Sequence, residues 1–146
     1  MSDEAHMRRA LELAARVAGL TAPNPAVGCV ILKNGVIVGE AATAPGGRPH
    51  AEEQALALAG ANARGATAYV TLEPCAQRSS GALSCSDLLL QAGVSRVVIA
   101  ALDPHPLANG IGPARLKAAG IGVEQGLLSD EALAQNADFF ASIGRA

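Results

Sequence analysis

Three side chains of metal-binding type lie far apart in this sequence: His50, Cys75 and Cys85. His50 stands in Pro49-His50-Ala51-Glu52, Cys75 closes Glu73-Pro74-Cys75, and nine residues separate Cys75 from Cys85. One neutral imidazole and two thiolates make a three-ligand zinc set with a fourth position left for water, as in catalytic rather than structural sites. Cys85 falls where a helix is expected to begin, and the partial positive charge of a helix N-terminus favours thiolate over thiol. Zinc lowers the pKa of the water it binds from about 15.7 to about 7, which makes a nucleophile available at neutral pH. Glu52 follows His50 by two residues. In the first turn of a helix both side chains reach one pocket. Glu52 then serves as the general acid–base, taking a proton from water and passing it to a leaving amine.

Neighbouring residues of similar type read differently. Cys29 sits among Val27, Gly28, Val30 and Ile31 and reads as a buried small hydrophobe. Glu53 is one position further round its helix and reads as solvated, and His6 in an acidic N-terminal stretch reads as a surface residue. Three cysteines leave an odd one, so no complete disulfide framework is available.

The elements that must hold these residues alternate between helix and strand. Helical spacing over Asp3–Ala18 is ended by Gly19, and Thr21-Ala22-Pro23-Asn24-Pro25 is a rigid loop because Pro fixes φ and restricts its predecessor. Ala26–Lys33 and Val36–Ala41 are strand-like runs joined by Asn34-Gly35, the strongest short hairpin signal. The pattern then predicts a helix from His50 to about Ala61, a strand over Thr67–Leu72, and an irregular loop over Glu73–Ser84. A helix over Ser84–Ala92 stopped by Gly93 and a buried strand within Val94–Leu102 follow. After the Asp103-Pro104-His105-Pro106 loop come a short helix near Pro113–Ala119, a strand over Ile121–Gln125 and one final helix over Asp130–Ser142 capped by Ser129. This order predicts an α/β fold with a mixed sheet covered by helices on both faces.

Composition narrows the partners. A chain of 146 residues, half of them hydrophobic, fits one domain with a substantial core. Aromatics are 2% and Trp is absent, which disfavours a base-stacking surface. The net charge is −2, the pI about 5.9, and Arg8-Arg9 is the only adjacent basic pair, so binding of long nucleic acid is not expected. The N-terminus lacks the pattern of a signal peptide and no apolar run reaches membrane-spanning length, so a soluble cytoplasmic protein without membrane association is expected.

A His-x-Glu followed by Pro-Cys is the arrangement of zinc-dependent base deaminases. Met7–Ala14, Thr21–Gly28, Gly65–Cys75, Ala92-Gly93-Val94, Asp103–Pro106 and Ala118–Ile121 extend the likeness over nearly the whole chain. The sequence resembles the deaminase domain of the riboflavin-biosynthesis bifunctional deaminase/reductase, within the cytidine deaminase-like superfamily. Pro23-Asn24-Pro25, Thr71-Leu72-Glu73-Pro74-Cys75 and the long Cys75–Cys85 spacing are the branch-specific features. The resemblance implies a three-layer α/β/α sandwich and one zinc per subunit. It also implies a homo-oligomer, dimer or tetramer, and loss of ammonia from 2,5-diamino-6-ribosylamino-4(3H)-pyrimidinone 5′-phosphate. It places Asn24 on the pyrimidine, with Asp103 and His105 on the ribose-phosphate side. The chain reads as a single deaminase domain over 1–146 with no reductase domain.

Several positions depart from that pattern. The inter-cysteine loop reads Ala76-Gln77-Arg78-Ser79-Ser80-Gly81-Ala82-Leu83-Ser84, with Ala82 where the branch carries Lys or Arg. His105 replaces an Asn, Gly110-Ile111-Gly112 replaces Gly-Arg-Gly, and Ala41-Ala42-Thr43 replaces Gly-aromatic-His. A phosphate dianion calls for charge-assisted donors. Arg78 and Arg48 are the cations available to supply them, with Ser79, Ser80 and loop N–H groups as an anion nest. Deamination of another nucleobase, nucleoside or nucleotide, such as cytosine, cytidine, deoxycytidylate or guanine, is the alternative. A zinc-stabilised scaffold is a third reading, opposed by Glu52, for which a structural site has no use.

Overall fold

A computed structural model describes residues 2–75, 83–104 and 109–143. Arg78 and His105, both expected at the substrate, lie outside the described residues. The elements in chain order are α1 (Asp3–Ala15), β1 (Gly28–Lys33), β2 (Val36–Ala42), α2 (Ala51–Ala59) and a 3-10 turn over Gly60–Ala63. They continue with β3 (Thr67–Leu72), α3 (Cys85–Ala92), β4 (Arg96–Ala101), α4 (Ile111–Ala118), β5 (Gly122–Gln125), α5 (Ser129–Gln135) and α6 (Ala137–Ile143).

The strands form one five-stranded mixed sheet in the order β2-β1-β3-β4-β5. β1 is antiparallel to β2 and β3, whereas β3, β4 and β5 run parallel through helical crossovers. Asn34 and Gly35 both adopt positive φ, 52° and 78°, as the hairpin between β1 and β2 requires. Successive β1 side chains point to opposite faces. A Cβ on Gly28 would meet the Ala10 carbonyl oxygen of α1 at 1.8 Å, so α1 lies against that face. Gly39 pairs with Ile31, and a Cβ there would meet the Ala55 carbonyl oxygen of α2 at 2.3 Å, so α2 covers the other face. Two glycines thus allow backbone-to-backbone approach on opposite sides of the sheet. The result is the expected three-layer sandwich. Its core is built from Ala, Val, Leu and Ile, with Met7 and Tyr69 as its largest side chains.

Three expectations change. The final helix is broken at Asn136 into α5 and α6, and α5 starts after Leu128, which takes a positive φ, rather than after a Ser129 cap. His6 is buried, not exposed, because it packs on Tyr69 with ring centroids 5.2 Å apart. Near it, the Tyr69 hydroxyl donates to Asp3 at 2.6 Å and Arg96 bonds both Asp3 oxygens at 3.0 and 2.6 Å. This joins the start of α1 to β3 and β4. The Arg96 bonds, then the Tyr69 hydroxyl, lower the Asp3 carboxyl to about 2. Among the described residues no helix is long and apolar enough to cross a membrane.

Candidate metal centre and active site

The ligand candidates sit at three element ends on the α2 side of the sheet. His50 is the N-cap of α2, Cys75 follows β3, and Cys85 opens α3. Their donor atoms all lie within 4.8 Å of one another, with His50 Nδ1 3.4 Å from Cys85 Sγ. Two tetrahedral zinc ligands at bond lengths of about 2.0 and 2.3 Å are separated by roughly 3.5 Å, close to that spacing. Imidazole with two sulfurs is a zinc donor set, so the residues present fit this metal.

Local chemistry positions each candidate. The first N–H groups of a helix have no partner within it. In α3 two of them serve Cys75: the Cys85 N–H donates to Cys75 Sγ at 3.2 Å and the Ser86 N–H to the Cys75 carbonyl at 3.0 Å. A donor aimed at sulfur stabilises the thiolate, which is the ligating form. Ser84 and Asp87 close a capping box around that turn, at 3.1 and 3.2 Å, and Arg115 on α4 holds Asp87 at 2.6 Å. Gly112 lets α4 pack on the preceding residue, since a Cβ there would lie 2.3 Å from the Pro74 carbonyl oxygen. At α2 the His50 N–H donates to Glu53 at 3.0 Å. Glu53 is therefore half-buried and holds the His50 backbone, which corrects its reading as a solvated residue.

Glu52 is 4% exposed, in the first turn of α2. Burial pushes its carboxyl up to about 7, and the nearby Cys75 charge adds to the rise. Its own backbone N–H, His50 and a hydrogen bond with Cys85 pull it down. The carboxyl thus bonds Cys85 and feels the charges of Cys75 and His50. Cys29 is fully buried, as expected, and burial followed by the Glu52 charge pushes its thiol up.

The loops around this centre are pinned by side chains. Asn24 Nδ2 donates to the Gly47 carbonyl at 2.8 Å, and its backbone N–H to Thr21 O at 2.9 Å. This ties the Pro-Asn-Pro loop to the segment leading into His50. Gly47 has φ +96°, and a Cβ there would meet Asn24 Nδ2 at 2.7 Å, so the contact needs glycine. Thr43 is buried and bonds both the Val27 N–H, at 3.0 Å, and the Pro25 carbonyl, at 3.3 Å. Arg48 is exposed.

Glu73 has a role that sequence reasoning missed. Its Oε1 accepts the Asp103 N–H at 2.6 Å, and both its oxygens receive the Gly110 N–H at 3.1 Å. It therefore braces the two ends of the loop after β4 from a position two residues before Cys75. Burial raises its carboxyl, against the pull of those two backbone bonds. The signal available was a carboxylate inside an apolar run at a strand end. Its partners are 30 and 37 residues away, beyond any local pattern.

Comparison with known proteins agrees with this geometry. The model of the cytidine and deoxycytidylate deaminase zinc-binding region matches residues 1–101. The riboflavin biosynthesis protein RibD of Escherichia coli is 52% identical over 139 residues, which are 95% of this chain and 38% of that protein. The diaminohydroxyphosphoribosylamino-pyrimidine deaminase of Buchnera aphidicola (subspecies Acyrthosiphon pisum) is 48% identical over 140 residues, 96% of this chain and 95% of that one. The structure of Acinetobacter baumannii RibD superposes with a TM-score of 0.90 at 46% identity, covering 97% of this chain and 39% of the other. The chain thus spans less than half the length of the RibD proteins and nearly all of the Buchnera enzyme. It belongs to the zinc-dependent cytidine and deoxycytidylate deaminase family, on the branch that holds the RibD deaminase domain and the Buchnera deaminase.

Proposed function

We propose that this chain is the deaminase of the riboflavin pathway, removing ammonia from 2,5-diamino-6-ribosylamino-4(3H)-pyrimidinone 5′-phosphate. The observation that carries the reading is the convergence of His50, Cys75 and Cys85 beside a buried Glu52. It is supported by a relative of matching length whose name states a pyrimidine deaminase. His50 Nδ1 and the two sulfurs would hold one zinc per subunit, which would supply Lewis-acid chemistry and acidify water.

The chain's own residues supply the rest. Glu52 takes a proton from water as the water oxygen bonds the ring carbon that carries the amine, and passes it to the adjacent ring nitrogen, which receives the electrons of the opened C=N bond. Glu52 then moves the remaining proton of that oxygen to the amine nitrogen, the C–N bond breaks, ammonia leaves and a carbonyl remains. Burial favours the shuttle, because it raises the Glu52 carboxyl and so helps it hold the proton between the two transfers. Asn24 gives one N–H to Gly47, which orients the amide, and Oδ1 accepts from a ring N–H. Asp103 lines the ribose side, with Arg78 and His105 as partners of the ribose phosphate. The protein acts in the cytoplasm as a homo-oligomer. Val36 and Ile37, exposed on the edge strand β2, and Leu58, exposed on α2, support self-association.

The test is ammonia release from the diaminopyrimidine phosphate by zinc-loaded protein, run beside cytidine, deoxycytidylate and guanine. The reading requires turnover of the first and a loss of about 10²–10⁴-fold in Glu52→Gln with zinc retained. Turnover confined to another substrate, or unchanged turnover in Glu52→Gln, contradicts it.

A further inference from the structure

We propose that Asn136 is a positioning residue for the substrate loop, acting on Asn24 through Ala26. Asn136 lies at the joint between α5 and α6, where its side chain is 7% exposed. Its amide makes two bonds to a single residue 110 positions away: Oδ1 accepts the Ala26 N–H at 2.8 Å and Nδ2 donates to the Ala26 carbonyl at 2.8 Å. Ala26 precedes β1 and is itself buried, so its two backbone groups need partners that the sheet does not supply. An Asn amide presents a donor and an acceptor side by side, as a neighbouring strand does. Asp lacks the donor, Leu lacks both, and Ser is too short to span both groups.

The consequence reaches the site because Asn24 is two residues before Ala26, across Pro25. Pro25 has a fixed φ, so orienting Ala26 restricts where Asn24 sits. Thr21, Thr43 and Gly47 hold the other sides of the same loop. Among the described residues Asn136 is the anchor that comes from the C-terminal helices. The joint it occupies is itself fixed. Gln135 Nε2 donates to the Leu11 carbonyl of α1 at 2.8 Å, and the Asn136 carbonyl accepts the Phe140 N–H at 3.0 Å in α6. At this break between α5 and α6 the side chain faces the loop.

The inference rests on the role proposed for Asn24, and the experiment separates the two. Zinc content, kcat and KM for the diaminopyrimidine phosphate are measured for wild type, Asn136→Ala, Asn24→Ala and the double variant. Amide hydrogen exchange of residues 21–27 is followed in each. Asn136→Ala is expected to keep its zinc and lose about 10- to 100-fold in kcat/KM, as displacement of a positioning group does. The double variant is expected within ~2-fold of Asn24→Ala, because both changes remove one function. Exchange in residues 21–27 is expected to rise while β3 and α2 stay protected. Loss of stability with kcat and KM unchanged, or losses that multiply in the double variant, overturns the proposal. Absence of turnover by wild type overturns the proposed substrate instead, and exchange then decides this point: unchanged protection of residues 21–27 in Asn136→Ala refutes it. Should Asn136→Ala not fold, Asn136→Asp keeps the shape and the acceptor but loses the donor, and carries the same comparisons.

Discussion

Replacing Glu73 by Ala removes the acceptor of two backbone N–H groups, those of Asp103 and Gly110. An N–H left without a partner costs about 1–3 kcal/mol when buried. Both residues are half-buried, so water reaches part of the way and the lower half of that range applies. Glu73→Ala should therefore lose about 2–4 kcal/mol of unfolding free energy. Glu73→Gln keeps one carbonyl oxygen where Oε1 now accepts both N–H groups, and it relieves a desolvated charge, so its loss should stay near or below about 1 kcal/mol at neutral pH. The pH dependence has a definite sign. Burial raises the Glu73 carboxyl in the folded state, so the wild type loses stability as pH rises from its unfolded pKa toward the folded value. Gln does not titrate, and the gap between wild type and Glu73→Gln should narrow over that rise. Urea midpoints of zinc-loaded protein between about pH 4 and pH 7 read both effects, with kcat/KM as a second readout for the displaced Asp103 loop. A Glu73→Gln variant as unstable as Glu73→Ala refutes the bracing role, and a gap that widens with pH refutes the raised carboxyl.

Cys85→Ser should abolish the zinc-dependent rise in Tm, which for wild type at a thousandfold excess over Kd corresponds to about 4 kcal/mol; thermal melts with and without zinc check this. Gly112→Ala should destabilise by about 1–3 kcal/mol despite the better helix propensity of Ala, and should weaken zinc binding in chelator competition, since the new Cβ falls 2.3 Å from the Pro74 carbonyl oxygen and 2.8 Å from Ser86 Oγ. Asp3→Asn should cost no more than about 1 kcal/mol because the Arg96 pair is partly exposed. Arg96 depresses the Asp3 carboxyl to about 2, so this contribution is present above its unfolded pKa and is lost as pH falls from about 4 to about 2. Urea midpoints of wild type and Asp3→Asn should converge over that interval.

What the sequence made legible was local. Asn34-Gly35 announces its hairpin because two adjacent positive φ values admit few residue pairs. β3 could be bounded at Thr67 and Leu72 because an apolar run ends there at Glu73-Pro74. The convergence of His50, Cys75 and Cys85 could be anticipated because each sits at an element end with recognisable punctuation. What stayed hidden depends on partners distant in the chain. Asn136 falls inside the single final helix that the pattern predicts, and its partner Ala26 is 110 residues away. His6 looked exposed because its neighbours in sequence are acidic, whereas Tyr69 shelters it in space. Glu53 looked solvated because an N-terminal bond to the His50 backbone leaves no trace in periodicity.

X-ray absorption at the zinc edge of the metal-loaded protein examines the three donors together. The geometry predicts two sulfurs at about 2.3 Å and two lighter atoms at about 2.0–2.1 Å, one of them imidazole nitrogen. In Cys75→Ala one sulfur should disappear from that shell. A shell with no sulfur, or with oxygen ligands only, would mean that His50, Cys75 and Cys85 do not share a metal, and the role given to Glu52 would have no basis.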